Sequence, residues 1–255
     1  MKKLAVLGPK GTYSDVACTK LGSPYSIEYY PNIYSVLEQV TEEKDALVPF
    51  ENTLDGFVME SLDGIIKYNL WITEQVKLDV NFQCISFEKS MEDIHTVYVQ
   101  FKAYGQCVDY IQKNHLTPII TQSNIESLNL LKETRKTGFA AIIPAHTEAT
   151  EFLFVEKNII QSLHNETRFV RISKKMPTQP QQKHFNCSIT ITPSQDEPGI
   201  LYSILKVFSE YSINLKAILS RPRKDYMGKY IFYIEVEGED SLPLEKIQKE
   251  IKKLN

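Results

Sequence analysis

The fold class this sequence predicts is an α/β layer protein followed by a small α+β domain, and three observations predict it. From Lys3 to about Ile172, short apolar runs alternate with longer amphipathic ones. From Lys174 to Lys183 the chain becomes polar and Pro-containing and loses its period, as linkers do. Beyond that stretch, predicted elements follow in the order β-α-β-β-α.

Taken in order, Lys3–Leu7 is a buried first strand, halted by Gly8-Pro9, and Ser14 can cap the helix Ser14–Leu21. Further strands are predicted at Ala46–Pro49, Val76–Cys84, Thr96–Val99, Pro118–Thr121, Phe139–Ile143 and Phe169–Ile172. Helices are predicted at Ile33–Glu42, Val58–Lys67, Tyr104–Asn114, Ile125–Glu133 and His146–Leu153. In the first of these, Ile33, Val36, Leu37 and Val40 share one face at three- and four-residue spacing. In the smaller domain, Asn186–Thr192 alternates as a strand and Pro198-Gly199 opens a helix through Phe208. Strands Ile213–Leu219 and Lys229–Val236 and a helix Leu244–Leu254 complete an order that looks ferredoxin-like, with the usual last strand missing before Asn255.

Composition narrows the function classes. At 255 residues the chain can hold one large domain or two smaller ones, and 42% hydrophobic with 24% charged residues is ordinary for a globular protein. A formal net charge of -3 gives no electrostatic reason to expect nucleic acid or an anionic membrane, so any anion must be held locally. The apolar run after Met1-Lys2-Lys3 is too short for a signal-peptide core. No run approaches the roughly 18 residues that span a bilayer. The four cysteines, Cys18, Cys84, Cys107 and Cys187, form no C-x-x-C pair and have no His at metal spacing. Packed thiols in a cytoplasmic protein without metal or cofactor are the expectation.

Standard catalytic constellations are absent: there is no G-x-S-x-G, no P-loop and no H-E-x-x-H. His95, His115, His146, His164 and His184 read as surface or loop residues. Three segments stand out because each lies where a strand meets a loop, the place α/β proteins put ligand-contacting groups. They are Gly8-Pro9-Lys10-Gly11-Thr12-Tyr13-Ser14, then Val48-Pro49-Phe50-Glu51-Asn52-Thr53 with Gly56 following, and Asn165-Glu166-Thr167-Arg168-Phe169. Singly, each has a bland reading: a backbone turn, a cap after a strand, a surface pair at a strand edge.

Together, in order and spacing, the three segments resemble the signatures of prephenate dehydratases. The carboxyl-terminal part resembles the ACT domain these enzymes carry, with Pro198-Gly199-Ile200-Leu201 near its start and Leu219-Ser220-Arg221-Pro222 after its second strand. The resemblance covers nearly the whole chain. It implies a two-lobed, periplasmic-binding-protein-like catalytic domain over residues 1–174, with lobe one at about 1–78 and 160–174 and lobe two at about 79–159. A linker over 175–184 and a ferredoxin-like ACT domain over 185–255 follow.

The reaction the resemblance implies is decarboxylation of prephenate with loss of its ring hydroxyl, giving phenylpyruvate in L-phenylalanine biosynthesis. Aromatisation drives it, so no cofactor is implied. Two carboxylates need recognition, and a poor leaving group needs a donor. The resemblance assigns Thr167 to the leaving hydroxyl, better seen as an oriented donor than a free acid, with Asn52 and Gln106 beside it. Gly11, Thr12 and Ser14 are implied to receive a carboxylate. Glu51 reads as a base or a helix-start carboxylate, and Arg168 as a carboxylate partner or a strand-edge ion pair. Lys10 reads as a carboxylate contact or a solvated side chain. Thr53 and Phe169 complete the implied substrate-binding set. Among partners, L-phenylalanine is implied as effector, and a homodimer or homotetramer as the assembly.

Departures from the family pattern are specific. Val99-Gln100-Phe101-Lys102 stands where members usually carry Ser-His-Pro-Gln, so a hydroxyl at Val99 is missing. Gln83 replaces a histidine before Cys84, and Gln161 an acidic residue. A single neutral hydrogen bond contributes only about 0.5–1.5 kcal/mol net, so losing one at Val99 implies a lowered rate, not a lost reaction. Leu219 replaces a glutamate and cannot accept a hydrogen bond from an effector. Other readings are a related activity on prephenate or arogenate with a different outcome, and a catalytically silent amino-acid-binding protein.

Overall fold

The structure, a computed structural model, describes residues 2–22, 24–160, 164–177, 184–193, 197–223, 229–239 and 244–253. Gln161, Leu254 and most of the predicted linker lie outside them. The chain divides into two compact units, Met1–Lys175 and Met176–Asn255.

In the first unit the chain begins β1 (Lys2–Leu7), α1 (Tyr13–Thr19), β2 (Tyr25–Tyr30), α2 (Ile33–Glu38), β3 (Lys44–Asn52), β4 (Gly56–Phe57), α3 (Met59–Tyr68) and β5 (Trp71–Asp79). Leu4, Ala5 and Val6 of β1 are fully buried, as an interior parallel strand covered on both faces requires. β2 and β3 flank it, both parallel. The chain then crosses at Val80 and Asn81 into a second lobe. It continues through β6 (Phe82–Ser86), β7 (Thr96–Gln100), α4 (Phe101–Lys113), β8 (Thr117–Thr121), α5 (Asn124–Thr134), β9 (Phe139–Pro144) and β10 (Phe154–Lys157). It crosses back to lay β11 (Glu166–Ser173) into the first sheet.

The sheet orders are β2-β1-β3-β11-β5, with β4 on β3, and β10-β6-β9-β7-β8. β11 is therefore inserted between β3 and β5 and antiparallel to both. One core joins Leu4, Val6, Ala17, Leu47, Val76, Leu78 and Phe169 beneath α1. The second lobe has a core on each face of its sheet, one holding Val97, Val99, Cys107 and Ile142, the other Ile85, Tyr98, Leu131 and Ile143.

In the second unit, β12 (His184–Ile191), α6 (Ile200–Glu210), β13 (Leu215–Pro222), β14 (Tyr230–Glu239) and α7 (Leu244–Lys253) form an antiparallel sheet ordered β12-β14-β13. Ile204 and Phe208 of α6 and Ile247 and Ile251 of α7 pack on Phe232, Ile234 and Val236 of β14. This is the ferredoxin-like order the sequence predicts.

Several local expectations need correction. The predicted strand Val76–Cys84 is two strands in two different sheets. Apolar residues at Val76, Leu78, Val80, Phe82 and Cys84 keep period two through the crossing, so the pattern carries no gap to mark it. The predicted helix His146–Leu153 is a series of turns. Gln83 Nε2 donates to the carbonyls of Pro144 (3.3 Å) and Thr147 (2.7 Å), which a helix would need for itself. α2 stops at Glu38, because the Thr41 hydroxyl accepts from the Glu43 and Lys44 N–H groups and turns the chain into β3. Thr12 occupies the N-cap position of α1 without a side-chain cap hydrogen bond, and Ser14 is already inside the helix. β2, β4 and β10 were not predicted.

Among the described residues no disulfide forms: Cys18, Cys84 and Cys107 are buried and Cys187 is half-buried. Burial pushes the Cys18, Cys84 and Cys107 thiols up to about 12. No helix among the described residues is long and apolar enough to cross a membrane, and no group of three or more His, Cys, Asp or Glu is placed to hold a metal ion.

Two charge clusters brace the first sheet. Asp45, fully buried, meets Lys2 at 2.8 Å and Arg171 at 2.9 Å, and Arg171 also reaches Glu74 at 2.9 Å. Glu28 joins Lys44 (2.6 Å) and Lys3 (2.9 Å). Hydrogen bonds from Lys44, Lys3 and Tyr30 hold the Glu28 carboxyl down at about 2, below its ordinary 4.5. Its folded pKa is depressed, so its contribution is present above about pH 4.5 and lost as pH falls toward 2. The Glu28→Gln variant is expected to show a flatter loss of melting temperature than the parent across that window. Equal slopes would contradict this.

Candidate functional site at the crossing between lobes

The site forms where the chain returns from the second lobe. β11 begins at Glu166, earlier than its polar start suggests, because the ladder with β3 and β5 pairs both of its edges. Thr167 and Arg168 are therefore inside a strand. Thr167 lies opposite Asn52, the last residue of β3. Both are buried, as is Asn165 at the end of the crossing segment.

Asn52 is oriented by the hairpin that follows it. Its Oδ1 accepts from the N–H groups of Leu54 (2.9 Å) and Asp55 (3.1 Å), an Asx turn. Gly56 closes the hairpin at φ +74, a left-handed conformation that glycine adopts without the usual Cβ penalty. The Asn52 Nδ2 therefore faces β11, donating to Thr167 Oγ1 (2.9 Å), Asn165 Oδ1 (2.8 Å) and the Glu166 carbonyl (3.2 Å). An amide nitrogen only donates, so Thr167 Oγ1 accepts here and keeps its own hydrogen for another acceptor.

α4 of the second lobe supplies Gln106. Its Oε1 accepts from Asn165 Nδ2 (2.8 Å) and its Nε2 donates to Asp55 Oδ2 (3.0 Å). Gln100 caps α4, accepting from the N–H groups of Lys102 and Ala103. Asn52, Gln106 and Thr167 thus meet in one network through Asn165, a residue of the quoted segment to which the sequence attached no role. Asp55 was missed as well. The available signal was a carboxylate inside a tight hairpin with Asn52.

The Gly11–Ser14 segment faces the same crossing from the first lobe. Gly11 has φ +89, and a Cβ there would come within 3.3 Å of Ile125 Cδ1 on α5 of the second lobe. Asp15 accepts from Gly11 N (2.9 Å) and from the Tyr29 hydroxyl. The Thr12 Oγ1 is buried and has no hydrogen-bond partner, and Ser14 is buried in the first turn. Tyr13 reaches the crossing itself: its hydroxyl donates to the Asn81 carbonyl and accepts from Asn81 N (2.9 Å). Burial raises the Tyr13 pKa to about 12 against the lowering effect of the Asn81 bond, so the phenol stays protonated. His146 Nε2 lies 3.3 Å from the Gly11 carbonyl and its ring stacks edge-on with Tyr13.

Other sequence-selected residues have structural positions. Side chains alternate along β11, so Arg168 projects from the face opposite Thr167. There it pairs with Glu51 (2.8 Å) and lies over the Phe50 and Phe57 rings at 5.2 and 5.9 Å. Phe169 is buried in the α1-side core. Thr53 clips the crossing segment to the hairpin through the His164 carbonyl (3.1 Å) and Glu166 N (3.0 Å). Lys10 is exposed. Val99 is fully buried in a core of the second lobe and Gln83 is fully buried against the 144–147 turn. The expected loss of a polar contact at Val99 therefore concerns an apolar interior, where a hydroxyl would itself need a partner.

Comparison with known proteins follows the same division. The prephenate dehydratase family profile matches residues 4–177 and the ACT domain profile residues 194–255. A prephenate dehydratase of Methanocaldococcus jannaschii is 33% identical over 251 residues, covering 96% of this chain and 91% of that protein. The crystal structure of the prephenate dehydratase from Staphylococcus aureus subsp. aureus Mu50 matches with a TM-score of 0.84 at 30% identity, covering 99% of this chain and 96% of that one. A prephenate dehydratase from Arthrobacter aurescens, solved in complex with L-Phe, matches with a TM-score of 0.84 at 23% identity, covering 99% and 86%, a likeness of fold.

Proposed function

Because the chain belongs to the prephenate dehydratase family, we propose that its first unit converts prephenate to phenylpyruvate, as a cytoplasmic step of L-phenylalanine biosynthesis. The unit has the two-lobed, periplasmic-binding-protein-like fold of that family and the second is its ACT domain. In the proposed reaction the bond from the ring to its carboxylate breaks and releases carbon dioxide. The electron pair moves through the ring, which becomes aromatic as the carbon–oxygen bond opposite breaks. The departing hydroxide takes one proton and leaves as water.

One observation carries this reading. The Asn52 amide is turned so that Thr167 Oγ1 accepts from it, leaving the threonine proton for a departing oxygen. A donor fixed in advance costs no reorganisation when charge develops. Gln106 gives one Nε2 hydrogen to Asp55 and keeps a second for substrate. Gly11, Thr12 and Ser14 are proposed to receive a carboxylate, supported by the unpartnered Thr12 hydroxyl. Glu51, Thr53, Arg168 and Phe169 are proposed to hold the frame around the site.

For the ACT unit, L-phenylalanine is the proposed effector, with Pro198, Gly199, Ile200 and Leu201 at the start of α6 and Leu219, Ser220, Arg221 and Pro222 at the end of β13 as its binding segments. β12 pairs only with β14 among the described residues, and a second copy is proposed to pair along its other edge in a homodimer or homotetramer.

Purified protein mixed with prephenate is expected to give phenylpyruvate, read by its absorbance in alkali and by product mass, with uptake of one proton per turnover. A product of different mass would redirect the assignment, and no product at high protein concentration would sink it.

A further inference from the structure

We propose that Asp55 is a positioning residue that fixes the direction of the amide network holding Thr167, an inference that rests on the reading of Thr167 as the leaving-group donor. The hydrogen bonds close into a ring. Asp55 N donates to Asn52 Oδ1 (3.1 Å), and Asn52 Nδ2 donates to Asn165 Oδ1 (2.8 Å). Asn165 Nδ2 donates to Gln106 Oε1 (2.8 Å), and Gln106 Nε2 donates to Asp55 Oδ2 (3.0 Å). The ring starts at the backbone N–H of Asp55 and ends on its carboxylate.

Three of its members are carboxamides, and a carboxamide donates from one end and accepts at the other. A run of amides alone can point either way, since flipping each in turn preserves every bond. Two anchors remove that freedom. A backbone N–H cannot accept, and the Asp55 Oδ2 that Gln106 reaches accepts. The Leu54 and Asp55 N–H groups anchor the Asn52 end and the Asp55 carboxylate anchors the Gln106 end, so the bonds run one way round and polarise one another in the same sense. Thr167 hangs on this ring through the Asn52 Nδ2. If the amides reversed, the Asn52 carbonyl would face Thr167 and claim the threonine proton. From the Gln106 end, the Asp55 carboxylate thereby reinforces the orientation that keeps that proton available, without touching Thr167.

The ring also spans the lobes. Asn52 and Asp55 belong to the first lobe, Asn165 to the returning segment, and Gln106 to α4 of the second. Asp55 is exposed, so its replacement leaves the cores intact.

The experiment uses the full chain and three variants: Asp55→Ala, Asp55→Asn and Gln106→Ala, with the Asp55→Ala/Gln106→Ala double. Asp55→Ala is expected to lower kcat about tenfold, the scale of one charge-assisted hydrogen bond, with KM changed less than twofold. Asn at 55 can still accept from Gln106, so Asp55→Asn is expected to recover to within about threefold of the parent. In the Gln106→Ala background, Asp55→Ala is expected to change kcat by less than about twofold, because the residue acts through Gln106. The side-chain amide resonances of Asn165 and Asn52 are expected to shift in Asp55→Ala along with that of Gln106.

A kcat for Asp55→Ala within twofold of the parent overturns the proposal. So does an undiminished loss in the Gln106→Ala background, or a shift confined to the Gln106 amide. If the parent makes no phenylpyruvate, the proposed activity fails, and the amide resonances still decide whether Asp55 directs the ring.

Discussion

Replacing Thr167 by valine is expected to lower kcat about a thousandfold, within the range of roughly 10²–10⁴ that a positioned proton donor contributes. Valine keeps the β-branch and nearly the volume, so β11 should still pair with β3 and β5. What it removes is the one hydroxyl in the network, which accepts from Asn52 and keeps its own proton. It also takes an acceptor from the buried Asn52 amide, which retains Asn165 Oδ1 and the Glu166 carbonyl. That limits the stability loss to about 1 kcal/mol, the net worth of a single hydrogen bond. Thr167→Ser keeps the hydroxyl and is expected to stay within about tenfold of the parent, a small part of the range cited for donor loss. Initial rates of phenylpyruvate formation with thermal melts on the same samples make the check. A valine variant within tenfold of the parent would remove Thr167 from the chemistry.

The largest expected stability effect is at Asp45. Its carboxylate is fully buried and meets Lys2 and Arg171, while Arg171 also holds Glu74. Removing one partner from a buried ion pair costs about 3–5 kcal/mol when the other charge stays buried and alone. Here Lys2 is partly exposed and Arg171 keeps Glu74, so about 2–3 kcal/mol is expected for Asp45→Ala, below that range. For a unit of this size that corresponds to a fall of roughly 5–10 °C in the melting temperature of the first unit. Calorimetry should show the first unit's transition move and the second's stay. A shift below 2 °C would mean the cluster is ornamental.

How much of this was legible in the sequence depends on the kind of signal. The alternation from Lys3 to Ile172 carried the fold class, because buried strands and amphipathic helices differ in period. Two of the motif segments carried the location of Asn52 and Thr167 and the family resemblance that of Gln106, and the three side chains meet in one network. The crossing at Val80 and Asn81 was invisible to periodicity, because leaving one sheet for another need not interrupt a period of two; only the family resemblance put a lobe boundary at about residue 78. The turns at 146–153 were hidden for a different reason: the side chain that captures their carbonyls, Gln83, lies far away in sequence. Arg168 beside Thr167 read as a pair of neighbouring functional groups. Strand alternation separates them to opposite faces, where Arg168 meets Glu51. Asp55 escaped notice because its role is directional, and direction exists only once Gln106 and Asn165 are beside it.

The insertion of β11 between β3 and β5 has a consequence for the order in which the molecule becomes itself. During synthesis on the ribosome, β3 and β5 emerge early, but neither has its central neighbour until residues 166–173 follow. The entire second lobe is made in the interval. The bond between Asn52 and Thr167 joins residues 115 positions apart, so the growing chain holds no completed site while the first sheet is still missing its middle. The proposed site is thus completed in one step, with the last strand of the unit, and a chain released before residue 166 is expected to lack it.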